Sequence, residues 1–394
     1  MVQSTRSSYS VTDTAAVLQG IAPDGGLFVD PDISYRPFDT EGCLTLPYTG
    51  MATRIFSHLL PGFALKAAQI AAVYPSKFSS PEITPLCAVG DSFALELYHG
   101  PTSAFKDVAL SVLPLLITSA RESEHITETI SILTATSGDT GKAALEGFHD
   151  VDGTDITVFF PDGGVSAMQK AQMVTQEGKN VRVCAVRGNF DDCQRGVKNA
   201  FARVNNGEKQ VEGRLFSSAN SINIGRLVPQ VTYYFSAYSQ LLKQNKIRNG
   251  ESIDFVVPTG NFGDILAGYL AKQMGLPVGK LICASNANNV LTEFIRTGVY
   301  NKRRPFLKTS SPSMDILVSS NLERLLFYAC EGDTAYVASL MKKLNEEGRY
   351  TLEGKAWQGF SNSLMLTIAQ KKKLPPRLPV SGMTAAGSVT PTVP

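Results

Sequence analysis

Lys106 is the single lysine of the stretch ELYHGPTSAFKDVALSVLPLL, residues 96–116. Phe105, Val108, Ala109, Val112, Leu113, Leu116 and Ile117 recur at the i, i+3, i+4, i+7 spacing of one helical face, which places the lysine beside a buried stripe, one turn into a helix. Pro101, Thr102 and Ser103 suit the start of that helix, because proline fits the first turn and hydroxyls accept from its free amides. Pro114 is expected to kink the far end. Two uses of such a lysine are open. Its stem can lie along apolar neighbours with the ammonium in water, or the amine can be desolvated, with a lowered pKa that makes it a nucleophile toward carbonyl carbon.

Two further segments bear on the choice. SILTATSGDTGKAALEGF and FVVPTGNFGDILAGYLAKQMG each read as a strand, a glycine-bearing turn and a helix. Glycine lets the backbone turn tightly and approach a ligand, and the free amides of a helix start favour an anion. Neither loop spells a nucleotide site. In TSGDTGKA, Thr136 stands where a phosphate-binding P-loop needs its first glycine and Ala143 where it needs a magnesium-binding hydroxyl; in GNFGD, Phe262 occupies the second-glycine position of a dinucleotide fingerprint. A reactive amine with two anion cradles suits pyridoxal 5'-phosphate, whose aldehyde takes the lysine and whose phosphate takes one loop, leaving the other for substrate.

The elements that must position these groups follow from the alternation of β-branched runs with helical patterns. TISILTA (129–135), DITVFFP (155–161), VRVCAV (181–186), SIDFVVP (252–258) and KLICASN (280–286) argue an α/β chain with mostly parallel, helix-covered sheets. The expected division is an N-terminal subdomain over 1–90, a cofactor-binding domain over 91–126 and 215–353, a smaller substrate-loop domain over 127–214, and a tail over 354–394. A length of 394 residues, 43% hydrophobic, allows one large core or two or three smaller ones, and a net charge of +2 gives no electrostatic case for nucleic acid or an anionic membrane surface. Cysteines 43, 87, 184, 193, 283 and 330 form no C-x-x-C pair and the four histidines have no ligand spacing, so no metal site is expected and a reducing cytoplasm fits. No apolar run reaches the roughly 18 residues of a membrane helix. From Gly354 onward the sequence contains no Asp or Glu, and KKKLPPRLPVSGMTAAGSVTPTVP, residues 371–394, shows neither helical nor strand period.

HGPTSAFKD, TATSGDTGKAAL, GNFDDCQ, NSINIGRLVPQ, VPTGNFGDILAGY and SPSMDILVSSNLERLLF, in this order, resemble the threonine synthases, within the fold-type II pyridoxal-phosphate enzymes; the likeness runs from GIAPDGGLF to about residue 340. The resemblance implies conversion of O-phosphohomoserine and water to L-threonine and phosphate, by γ-elimination followed by β-addition of water. It implies that Lys106 holds the cofactor as a Schiff base and carries protons. Gly260, Asn261, Phe262, Gly263 and Asp264 would then form the cofactor-phosphate loop, with Asp264 orienting its amides. Thr136, Ser137, Gly138, Asp139 and Thr140 would receive the substrate carboxylate, a helix N-cap being the alternative use of Asp139. Asn189 would approach the pyridine hydroxyl and Arg226 would clamp the substrate phosphate, while His99 and Asp107 support the lysine motif. A monomer or homodimer is expected. The resemblance also implies a later DPHTA-like motif and a hydroxyl toward the pyridine nitrogen. Neither is found, so a divergent tail is expected to leave one wall of the cofactor site open. Two alternatives accompany this reading: a related phospho-lyase yielding 2-oxobutyrate, and a cofactor-binding remnant without turnover.

Overall fold

The structure is a computed structural model that describes residues 1–205, 211–363, 366–369 and 387–391. Two sheets organise them. The smaller has strand order Val181–Val186, Thr154–Pro161, Thr129–Ala135, Arg214–Ser217, with every pair parallel. Its inner strands bury Ile130, Ile132, Ile156 and Val158, as expected where helices cover a parallel sheet. The larger has order Leu366–Ala369, Val278–Ala284, Ile253–Pro258, Gly387–Pro391, Ser92–Leu95, Leu86–Val89. Ile253–Pro258, Val278–Ala284 and Leu366–Ala369 run parallel, and the other pairings are antiparallel. Helix Ile224–Lys243, buried along nearly its whole length, packs against helices Tyr48–Leu59 and Gly263–Gln273. One apolar cluster extends from Val2 to Phe360.

Several expectations need correction. The apolar stripe after Lys106 is two helices, Asp107–Leu110 and Leu113–Ser123, and Pro114 lies in the first turn of the second, where its missing N–H costs nothing. Thr102 and Ser103 do not cap the first helix. Strand Arg214–Ser217 extends the small sheet just past the anticipated boundary at 214. After Gly354, a helix spans Gly354–Ser363, and Leu366–Ala369 and Gly387–Pro391 are strands of the large sheet. Such short strands take their pairing from neighbouring edges, which their own period does not announce. The rest of the expected tail, and with it the question of an open wall around the cofactor ring, lies outside the described residues. No helix among the described residues is long and apolar enough to cross a membrane.

Candidate active site

Lys106 immediately precedes helix Asp107–Leu110, and Asp107 fixes the approach to it. Its carboxylate accepts from Thr102 N at 2.8 Å, Ala104 N at 3.3 Å and Thr102 Oγ1 at 2.6 Å. Gly100 permits this closeness, since a Cβ there would lie 2.4 Å from Asp107 Cβ. Lys106 is 9% exposed, its Nζ lies 4.5 Å from the centre of the Phe105 ring, and Nζ has no hydrogen-bond partner among the described residues. Asp139 Oδ2, at 3.6 Å, forms an ion pair beyond hydrogen-bond range. Burial pulls the ammonium below the ordinary lysine range and Arg226 adds to the effect, while Asp139 opposes it. This is the desolvated amine of the two sequence alternatives.

The facing loop runs from strand Thr129–Ala135 into helix Asp139–Phe148. Thr136 is spent on the loop itself: its Oγ1 accepts from Gly138 N at 2.9 Å and Gly141 N at 2.8 Å. Gly138, at φ +142°, is the helix cap, and the side chain of Gln169 lies where its Cβ would be. Asp139 is therefore the first helical residue, with its carboxylate turned to the cleft rather than capping the helix. It accepts from Gln169 Nε2 at 2.9 Å and from Ser313 Oγ. Burial pushes its pKa up, but Lys106 and these donors outweigh burial and hold it below the ordinary carboxylate value. Ser313 reaches it from a loop clamped at Asp315, which accepts from Asn286, Asn288 and both Oγ1 and N of Thr309.

The second glycine loop leads from strand Ile253–Pro258 into helix Gly263–Gln273. Ser319 and Asn321 hold the carbonyls of Gly260 and Asn261. Phe262, buried, caps the helix at φ +65°, a left-handed conformation rare for a large side chain. A Cβ at Gly263 would meet no protein atom closer than 3.4 Å, so packing within the chain does not demand glycine there. Asp264 was expected to orient loop amides. Instead its Oδ1 accepts from Tyr233 at 2.6 Å and Tyr234 at 2.8 Å, because helix Ile224–Lys243 crosses beneath it. Burial raises the Asp264 pKa, against the lowering effect of those hydroxyls. On the same crossing helix Arg226 is 3% exposed; it donates to Ala219 O, its Nε has no partner, and burial lowers its pKa to about 10.

Lys106, Thr140, Arg226 and Gly260 to Asp264 line one cleft of about 520 Å³ counted to its open mouth, and Asp139 borders it through Lys106 and Ser313. Asn189 does not join them. It is exposed, and its Oδ1 accepts from Asp192 N while its own N–H donates to Asp192, so GNFDDCQ starts helix Phe190–Asn205. Ser137 is half-buried and no contact brings it to the cleft. His99 pairs with Glu96 at 2.8 Å and is not among the residues lining the cleft. Sequence reasoning missed Asn220, Ser221, Gln230, Ser313 and Met314, which also line the cleft. Their signal was present in NSINIGRLVPQ and SPSMDILVSS, but Asn220, Ser221, Ser313 and Met314 lie outside regular helices and strands of any length, and Gln230 is one polar residue within a buried helix, so no period marks them. The cleft fits pyridoxal phosphate: a buried amine without a hydrogen bond, an unpartnered Asn261 Oδ1, an arginine with a free Nε, and a glycine at the helix start whose Cβ would intrude on a ligand alone.

A family profile described as pyridoxal-phosphate dependent enzyme matches residues 79–355. Threonine synthase of Eremothecium gossypii is 38% identical over 379 residues, covering 88% of this chain and 72% of that protein. Human threonine synthase-like 1 is 40% identical over 355 residues, covering 86% of this chain and 47% of that protein, so the chain spans about half the length of that relative. The crystal structure of pyridoxal-phosphate-bound threonine synthase from Brucella melitensis superposes with a TM-score of 0.79 at 38% identity, covering 93% of this chain and 77% of that one. A buried lysine between two glycine-turned helix starts, on a fold and a sequence shared with these proteins, assigns the chain to the pyridoxal-phosphate dependent enzyme family, in its threonine synthase group.

Proposed function

We propose that the chain converts O-phosphohomoserine and water to L-threonine and phosphate. The observation that carries this reading is the shared cleft: Lys106 Nζ, buried and without a hydrogen bond, opens on the same space as Arg226 and two helix starts. Bound there, pyridoxal phosphate supplies an aldehyde for amines and a ring that accepts electrons from an adjacent carbanion. Gly260 to Gly263 would hold its phosphate through amides at the start of helix Gly263–Gln273. Lys106, once its nitrogen is free, takes the α-proton and then a β-proton from the substrate and returns protons as water adds at Cβ. Arg226 holds the substrate phosphate, with a guanidinium whose fork suits phosphate oxygens. The amides of Gly138 to Thr140 hold the carboxylate, which fixes the carbon chain at both ends and orients its reacting carbons.

The test is incubation of the purified chain and pyridoxal phosphate with O-phosphohomoserine, following phosphate release and identifying the organic product. Equimolar threonine and phosphate support the proposal. Phosphate with 2-oxobutyrate assigns a phospho-lyase instead, and cofactor binding without phosphate release contradicts both.

A further inference from the structure

Lys106 Nζ lies among charges of opposite sign contributed by different parts of the chain. Four charged side chains face it: Asp107 beside it, Asp139 from the helix of the small sheet, Arg226 from helix Ile224–Lys243, and Asp264 from helix Gly263–Gln273. Asp107 is engaged by Thr102 and Ala104, and Asp264 by two tyrosine hydroxyls. Asp139 and Arg226 remain as the carboxylate and the cation whose balance acts on the amine. Asp139 is held in place from two directions, by Gln169 at 2.9 Å on its own side and by Ser313 from the Asp315-clamped loop across the cleft. Such a carboxylate is a poor partner for the carboxylate of an amino acid, since two like charges in one buried site disfavour each other.

We propose that Asp139 is the counter-ion of Lys106, a positioning residue that governs whether the amine carries a proton, and that Ser313 secures it from the opposite side of the cleft. The inference rests on the reading of Lys106 as the reacting amine. A neutral amine attacks a carbonyl and an ammonium does not, so the charge of Asp139 decides how readily Lys106 reacts. The substrate carboxylate is left to backbone amides, and the side chain of Asp139 serves the lysine.

The signs follow from the neighbours. Burial and Arg226 lower the ammonium pKa and Asp139 raises it, so Asp139→Asn lowers it further and Arg226→Gln raises it. The experiment is reductive methylation of the full chain, freed of cofactor, with formaldehyde and cyanoborohydride across neutral to alkaline pH. Methylation of the peptide containing Lys106 is read by mass spectrometry. The midpoint is expected below that of an ordinary lysine, lower by about one further pH unit in Asp139→Asn, and restored toward wild type in Asp139→Glu. Ser313→Ala, which keeps the charge but releases it, is expected to give a smaller downward shift. An unmoved or raised midpoint in Asp139→Asn overturns the proposal; should that variant fail to fold, an unmoved midpoint in Ser313→Ala does so. No substrate is present, so a chain that makes no threonine still passes or fails this test independently.

Discussion

At the scale of the residue, two side chains are kept against their own energetic preference. Lys106 is a buried amine without a hydrogen bond, whose desolvation outweighs what its ion pair with Asp139 returns. Lys106→Ala is therefore expected to leave unfolding free energy within about 1 kcal/mol of wild type in the cofactor-free chain, since Asp139 keeps Gln169 and Ser313. A loss of several kcal/mol in urea unfolding would show the lysine to be structural. Phe262 presents the reverse balance. Its left-handed backbone costs roughly 1–2 kcal/mol, but its buried ring contributes about 3–5, so Phe262→Gly is expected to destabilise by about 2 kcal/mol despite the relieved strain. An unchanged or raised melting temperature would reverse that ranking. The lysine was legible because it is the single lysine beside an apolar helical period. Asp264 and Asn189 were misread because an acid or amide in a loop looks the same whether it orients amides, accepts from tyrosines or caps a helix, and the partner that decides lies elsewhere in the chain.

Among the elements, the five strand runs were legible because three or more β-branched or apolar residues stand together; four of them carry buried positions, whereas Val181–Val186, at the edge of its sheet, carries none. Arg214–Ser217, Leu86–Val89 and Ser92–Leu95 were not, being four residues each and paired by tertiary context. The lysine region shows the same division. Its apolar stripe was visible, while the break into two helices falls just before Pro114, which has no N–H to offer Leu110 O. What brings Asp139 to Lys106 is a close helix contact: a Cβ on Gly147 of helix Asp139–Phe148 would lie 2.3 Å from Leu110 O. Gly147→Ala is expected to cost about 1–3 kcal/mol through overpacking. It should also lower the methylation midpoint of Lys106 in the direction of Asp139→Asn, because the helix that carries the counter-ion is pushed away. Stability lost with the midpoint unmoved would separate helix packing from the lysine environment.

For the molecule as a whole, the α/β class and the mostly parallel sheets were legible from alternation alone, whereas the order of strands in the large sheet was not. Gly387–Pro391 lies between Ile253–Pro258 and Ser92–Leu95, pairing antiparallel with both. Removing residues 387–394 exposes two strand edges, and with each lost hydrogen bond worth about 0.5–1.5 kcal/mol the shortened chain is expected to lose several kcal/mol. A urea midpoint equal to that of the full chain would show the strand to be dispensable. The sheets, the crossing helix and the clamped Ser313 loop converge on one place, the nitrogen of Lys106, and the reading of the cleft stands or falls there. The most direct measurement is borohydride reduction of the full chain with pyridoxal phosphate, followed by digestion and peptide mapping. The account predicts the cofactor fixed on the peptide containing Lys106, with that label lost in Lys106→Ala. Fixation on another lysine, or an undiminished label in Lys106→Ala, would contradict it.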